Sequence, residues 1–180
     1  IHLLEDKMLI QFLLVVLFLL NLAFFWFFVY GRKFTGYKYL GIALFLSLPL
    51  ISVFFEQPRF DLDYFWWYVA GYLLAAAGIA GLIWARREFK KLGVPADGLP
   101  GEVLVKSGPY AWLRHPQYLA CVFIFVGWWW IFAAVFSFYF GMFILGLIWS
   151  EAYLEERYLM KKFGEKFTAY QAETGMFWIK

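Results

Sequence analysis

The segment GPYAWLRHPQY, residues 108–118, lies between two stretches of the chain that are apolar enough to cross a bilayer. Directly before the second stretch it places an arginine, a histidine and a proline together, at Arg114, His115 and Pro116. Proline is favoured in the first turn of a helix, and the unpaired N–H groups and the dipole of that turn attract anions. The segment therefore predicts a helix that begins at Pro116 and a seat for a charged cofactor at its amino end.

The composition indicates a membrane protein. Of the 180 residues, 64% are hydrophobic, 25% aromatic and 16% charged, whereas soluble domains are about 45–50% apolar and about 25% charged. We therefore expect an integral membrane protein in contact with membrane lipids, in the cytoplasmic membrane of a prokaryote or the endoplasmic reticulum of a eukaryote. The net charge of +3 comes from basic residues that membrane topology accounts for, so no nucleic-acid partner is expected.

Four apolar stretches are long enough to consider as spans. They are Met8 to Tyr30, Tyr39 to Phe55, Tyr64 to Trp84 and Tyr118 to Ser150. As one helix the last would extend roughly 50 Å, beyond a hydrocarbon core of about 30 Å, so we expect it to fold back between Trp130 and Ser137. The predicted fold is all-α: a polytopic membrane protein with five transmembrane helices, the last two a hairpin, plus a cytoplasmic C-terminal helical tail.

The basic residues indicate the orientation of these spans. They collect after the first, third and fifth spans, and only Lys7 and Arg59 fall on the opposite side. Because positively charged loops stay in the cytoplasm, we expect the amino terminus outside, and the carboxyl terminus and active site in the cytoplasm. A four-span alternative, with one bent final helix, scatters the positive charge over both faces.

The character of the chain changes after the third span. We expect a single membrane domain over residues 1–180, with a three-helix packing part at 1–91 and a cofactor-binding, catalytic part at 92–180. The tail LEERYLMKKFGEKFTAYQAE, residues 154–173, is predicted to continue the fifth span as a helix interrupted at Gly164. Its aromatic residues either cover a pocket or lie on the membrane surface. They are Tyr158, Phe163, Phe167 and Tyr170.

Two acidic residues share one face of the fifth helix, because Glu151 and Glu155 are four residues apart. Paired carboxylates at the end of a membrane helix are costly and are usually retained for a partner or a reaction. The pair therefore implies a nearby cation. The candidates are Arg114, His115 and the ammonium of a bound ligand. Glu156 points to a different face, and we expect it to project into interfacial water.

Two separated motifs carry a resemblance to a known family. The segments EVLVKSGPYAWLRHPQYLA, residues 102–120, and EERYLMKKFGEKFTAY, residues 155–170, resemble the isoprenylcysteine carboxyl methyltransferase and phospholipid methyltransferase group of membrane enzymes. They occur in the order and at the distance typical of that group. The resemblance implies a methyltransferase that uses S-adenosylmethionine and acts on a lipophilic or lipid acceptor arriving from the bilayer.

The resemblance also implies which residues bind the cofactor. Carried over position by position, they are Glu102, Val103, Leu104, Val105, Tyr110, His115, Pro116, Gln117, Tyr118 and Glu155. This set agrees with the residue chemistry. Aromatic rings suit a sulfonium cation, the helix start suits a carboxylate, and Glu155 suits an ammonium or a ribose hydroxyl.

The fifth helix departs from the isoprenylcysteine enzymes, which carry an arginine one turn before the cofactor glutamate where this chain has Glu151. Glu151 would repel a substrate carboxylate, unless Arg114 or Arg157 supplies the positive charge. We therefore favour an amine or neutral acceptor over a prenylcysteine carboxylate. Glu151 and Arg114 are the candidate catalytic residues, with Glu151 attracting the ammonium and accepting its proton.

Three alternatives stay open. The chain is an isoprenylcysteine carboxyl methyltransferase proper, an NADPH-dependent reductase of the sterol type, or a non-catalytic membrane protein. The reductases share an Arg-His-Pro-x-Tyr motif, but this chain departs from their pattern at Gln117, Leu119 and Ala120. No metal site is expected, because Cys121 is the single cysteine and the two histidines are far apart in the sequence.

Overall fold

The computed structural model describes residue 16 and residues 57–60, 64–94 and 103–180. These residues form four α-helices and one short 3₁₀ helix. The helices are α1 (Phe65–Lys91), α2 (Pro116–Phe132), α3 (Val135–Phe163) and α4 (Glu165–Glu173), and the 3₁₀ helix is Gly108–Ala111. The all-α prediction is confirmed for this part of the chain. The first two predicted spans lie outside it, apart from Val16, so five spans, their sidedness and a single domain stay predictions.

Two of the described helices are long and apolar enough to cross a membrane. They are α1 and the Ser137–Phe163 part of α3, each about 40 Å long at 1.5 Å per residue. The apolar helix α2 is shorter, at 17 residues. Along α1, large apolar side chains such as Tyr72 and Leu73 are exposed, which suits a helix surrounded by lipid.

The described residues divide into two compact units. Residues 57–60 and 132–151 belong to one, and residues 64–94, 103–131 and 152–180 belong to the other.

In the first unit the helical structure is interrupted between α2 and α3, within the predicted turn. Ala133 has a positive φ of 47°, and its carbonyl accepts a 2.8 Å hydrogen bond from the Phe60 N–H. The first N–H of α3 donates to the Pro58 carbonyl at 3.0 Å, and the Gln57 amide oxygen accepts from the Ser137 N–H at 3.0 Å. Segment 57–60 therefore satisfies polar groups that the helix break would leave open.

In the second unit α1 and α2 are antiparallel neighbours in close backbone contact. The Trp67 indole stacks on Trp130 at 4.1 Å, near the start of α1 and the end of α2. Further along, a Cβ placed on Gly78 would lie 2.7 Å from the Ala120 carbonyl oxygen, and one on Gly127 would lie 2.5 Å from a backbone nitrogen of α1. Small residues thus permit the approach that membrane helices use for packing.

The predicted interruption of the tail helix at Gly164 is confirmed. Gly164 separates α3 from α4 with a positive φ of 53°, and its N–H donates to the Met160 carbonyl at 2.9 Å, as in a helix end closed by glycine. The tail aromatics are divided by this bend. Phe167 and Tyr170 are buried, whereas Tyr158 is exposed.

Candidate functional site

The loop before α2 is attached to the end of α1 by a buried carboxylate. Glu88 is 6% exposed, receives a 3.0 Å hydrogen bond from the Ser107 hydroxyl, and pairs with Lys91 at 2.6 Å. Gly108 lies against it with a φ of 59°, and a Cβ there would be 2.5 Å from the Glu88 Cγ. Only glycine fits this combination of left-handed backbone and close approach. Sequence reasoning missed Glu88, because it stands within a basic run.

This attachment places Tyr110 in a buried cluster. Its ring stacks on Phe89 at 5.1 Å and packs with Ala85 and Val105, while its hydroxyl accepts a 2.8 Å hydrogen bond from the Gln117 amide. Burial raises the pKa of the Tyr110 hydroxyl far above its ordinary value, so it stays neutral.

The extended segment that precedes this cluster was predicted to contact a cofactor. Val105 is buried, Leu104 is half-buried and Val103 is exposed, while Glu102 lies outside the described residues.

The predicted cofactor residues of α2 and α3 meet around Glu155. The Tyr118 hydroxyl donates to Glu155 Oε2 at 2.8 Å, and His115 Nδ1 is 3.7 Å from the same oxygen. The His115 ring is buried and lies 5.4 Å from the Tyr118 ring. Pro116 opens α2, which confirms the predicted helix start. A carboxylate flanked by aromatic rings can bind a cationic group or a hydroxyl donor.

Arg114 is engaged by other parts of the protein. Its Nε donates to Glu156 Oε1 at 2.6 Å, and its Nη1 donates to the backbone carbonyls of Gln171 and Thr174. The expectation that Glu156 projects into water is wrong, because its side chain is 13% exposed and His115 Nε2 lies 3.3 Å from Oε1. Arg114 and Glu156 are 42 residues apart, a separation that no helical or strand period signals.

Residues 170–177, which we call the C-terminal strap, lie against the loop before α2. The N–H groups of Arg114 and His115 donate to the carbonyls of Gly175 and Met176 at 2.9 and 3.2 Å. The Tyr170 hydroxyl donates to a loop carbonyl, that of residue 110, at 2.6 Å, and burial raises its pKa to about 12. Sequence reasoning predicted no role for residues 174–177, which are too short and irregular to show periodicity.

Glu151, the candidate catalytic residue for the methyl acceptor, lies on α3 four residues before Glu155 and is 4% exposed. A carboxylate this deeply buried on an apolar helix is costly, in keeping with retention for a partner or a reaction. Within the described residues, no group of three or more histidine, cysteine or acidic side chains is arranged to hold a metal ion.

Two described helices of membrane length, with buried carboxylates at Glu88 and Glu151, indicate a helical membrane protein. Compared with known families, residues 66–166 match the phospholipid methyltransferase family. Because the match covers more than half of the chain, the chain belongs to that family and is a membrane methyltransferase. The match includes the loop before α2, Tyr118 and Glu155, and confirms the resemblance carried by the two motifs. No curated protein and no solved structure matches the chain.

Proposed function

We propose that this methyltransferase transfers a methyl group from S-adenosylmethionine to an amine carried by a membrane lipid. The family supports methyl transfer and a lipid acceptor. The observation that carries the cofactor assignment is the cluster of Tyr118, His115 and Glu155, in which one carboxylate oxygen lies 2.8 Å from a hydroxyl and 3.7 Å from an imidazole. Its members come from two distant segments and are the ones that the family resemblance implies.

The side chains of this cluster fit the chemistry of the cofactor. Glu155 suits the ammonium or a ribose hydroxyl, and the rings of Tyr118 and His115 offer aromatic faces beside a cation. The amino end of α2, at Pro116, offers the unpaired N–H groups that suit a carboxylate. When bound, S-adenosylmethionine supplies a methyl group on a positively charged sulfur, which keeps the electron pair of the broken S–CH₃ bond as the new bond to nitrogen forms.

The acceptor assignment rests on Glu151. A lipid amine is protonated at neutral pH, and its nitrogen has no lone pair for attack until the proton leaves. In our proposal the Glu151 carboxylate attracts the ammonium and takes that proton. The remaining contribution of the protein is to position the amine and exclude water.

A carboxylate acceptor is disfavoured by the charges of Glu151 and Glu156. The carboxylate of Glu151 would repel it. The guanidinium of Arg114 is already used within the protein, because it pairs with Glu156 at 2.6 Å. Removing Arg114 from Glu156 would leave a mostly buried carboxylate without its charged partner. An amine acceptor requires no such rearrangement.

The test is transfer of labelled methyl groups in liposomes that contain phosphatidylethanolamine, with a prenylcysteine, a phenol and a thiol as competing acceptors. We expect label in the aminolipid. Glu151→Gln should lower kcat by about 10²- to 10⁴-fold, the usual contribution of general base catalysis, with little change in cofactor affinity. Glu155→Gln should instead weaken cofactor binding. The exposed Glu165→Gln is the matched control and should behave as wild type.

Other outcomes point to other functions. Efficient methylation of the prenylcysteine with no label in the aminolipid would show that the charge argument on Glu151 is wrong. Binding of NADPH in place of the methyl donor would indicate a reductase. Absence of both binding and turnover would indicate a non-catalytic protein.

A further inference from the structure

The ion pair of Arg114 and Glu156 lies where three segments of one compact unit meet. These segments are the loop before α2, the carboxyl-terminal part of α3, and the C-terminal strap. Arg114 directs Nε to Glu156 and Nη1 to two strap carbonyls, those of Gln171 and Thr174. The Gln171 side chain completes this hydrogen-bond network by donating to Glu156 Oε2 at 2.9 Å. Each member of the pair therefore contacts the strap as well as the other member.

The same hydrogen-bond network holds His115 on several sides. The backbone N–H of His115 donates to the Met176 carbonyl at 3.2 Å, and the His115 ring lies 5.9 Å from the ring of Phe177. The imidazole lies between two carboxylates, with Nε2 3.3 Å from Glu156 and Nδ1 3.7 Å from Glu155. The orientation of the ring is thus coupled to the strap by its backbone and to Glu156 by its side chain.

We propose that Arg114 and Glu156 are positioning residues: they hold the C-terminal strap on the loop before α2 and so keep His115 directed at Glu155. The role of His115 toward the methyl donor rests on the proposed function, whereas the attachment of the strap does not. In this role the guanidinium of Arg114 neutralises Glu156 within the protein, and Arg114 needs no contact with the acceptor.

The chemistry of the pair explains why both side chains are needed. A guanidinium presents several donors in a fixed plane, so it serves a carboxylate and two carbonyls together, which the single ammonium of lysine does poorly. Its side chain is 11% exposed and that of Glu156 13%. Loss of either member would leave the other desolvated and without its charged partner.

The test compares Glu156→Gln and Arg114→Lys with wild type in the full chain. The matched controls are Glu165→Gln and Arg157→Lys, which change the same residue types at exposed positions. The first measurement is hydrogen–deuterium exchange of the peptide that contains the Arg114 and His115 amides, both of which donate to the strap. We expect these amides to exchange about tenfold faster in the two variants, since hydrogen bonds to charged groups contribute on that scale. The controls should match wild type.

The second measurement is the Kd for labelled S-adenosylmethionine and the split between KM and kcat with the aminolipid. The Kd should rise about tenfold in Glu156→Gln, and the KM for the methyl donor should rise with it. The kcat at saturating methyl donor should change less, which a general loss of folded protein would not produce. Arg114→Lys keeps the charge and should show a smaller change of the same kind.

The outcomes separate this inference from the proposed function. Unchanged exchange in both variants would refute attachment of the strap by the ion pair. Faster exchange with an unchanged Kd would refute the positioning of His115. If wild type binds no S-adenosylmethionine, the proposed function and the positioning role are both wrong, while the exchange measurement still decides the attachment. If Glu156→Gln does not fold, Arg114→Lys gives the same comparison.

Discussion

Replacement of Gly78 by alanine should force α1 and α2 apart. The Cβ of Gly78→Ala would lie 2.7 Å from the Ala120 carbonyl oxygen and 2.7 Å from the backbone nitrogen of Ile124. Backbone atoms of a helix cannot rotate away as a side chain can, so the helices must move apart. Gly81, one turn further along α1, provides the matched control, because a Cβ there meets only the Ala120 Cβ at 3.6 Å, an ordinary contact.

The magnitude follows from comparing the two variants. Both replace a glycine inside the same helix by alanine, which favours the helix by about 1 kcal/mol in each case, so this gain cancels in the difference. Overpacking of a well-packed contact costs about 1–3 kcal/mol. Gly78→Ala should therefore be less stable than Gly81→Ala by about 1–3 kcal/mol, a difference of roughly 2–12 °C in melting temperature for a chain of this size.

The assay is thermal unfolding of the purified variants in one detergent, followed by intrinsic tryptophan fluorescence. Because α1 also carries Glu88, which attaches the loop before α2, Gly78→Ala should in addition weaken binding of the methyl donor, whereas Gly81→Ala should not. Equal melting temperatures for the two variants would refute the close packing of α1 on α2 and the reasoning built on it.

Three further predictions concern the site. Gly108→Ala should weaken cofactor binding by displacing the loop from Glu88. Gly93→Ala measures backbone strain alone, because Gly93 has a similar positive φ of 67° but an added Cβ there meets nothing within 4 Å. Equal effects of the two substitutions would refute the role of the close approach. Tyr118→Phe should raise the Kd of the methyl donor about fivefold by removing one hydrogen bond to the carboxylate, which equilibrium binding measures. Burial raises the pKa of Tyr170 to about 12, above the ordinary tyrosine pKa of about 10. The free energy of unfolding should therefore be unaffected by Tyr170 below pH 10 and should fall as the pH rises to about 12. Chemical unfolding at several pH values should show a smaller fall in Tyr170→Phe.

Helix ends with a local chemical signal were predictable from the sequence. Pro116 opens α2 because proline is suited to the first turn, and Gly164 closes α3 because it accepts a positive φ. The break at Ala133 carries no such signal and was predicted from the length of the apolar stretch. Its position is stabilised by hydrogen bonds from residues 57–60, which are far away in the sequence.

The contacts of the candidate site were predictable where the residues lie within one motif. Tyr118 and His115 belong to one short segment, and the spacing of Glu155 from Glu151 placed both on one helix face. The pairing of Glu156 with Arg114 was not predictable, because it joins segments 42 residues apart. Residues 174–177 of the C-terminal strap were missed for the same reason, since they contact the loop before α2 through backbone carbonyls, which every residue type has.

The sequence alone therefore determined the membrane environment, the helical class, and the motif that identifies a methyltransferase. These depend on composition and on residues close together along the chain. The tertiary structure decided which carboxylate meets which cation. Adjacent residues on a helix point about 100° apart, so spacing predicts which residues share a face but not which faces are covered. Glu155 receives its partners from α2 and the loop before it, whereas Glu156 receives its partners from that loop and the C-terminal strap. Packing between distant segments makes that choice.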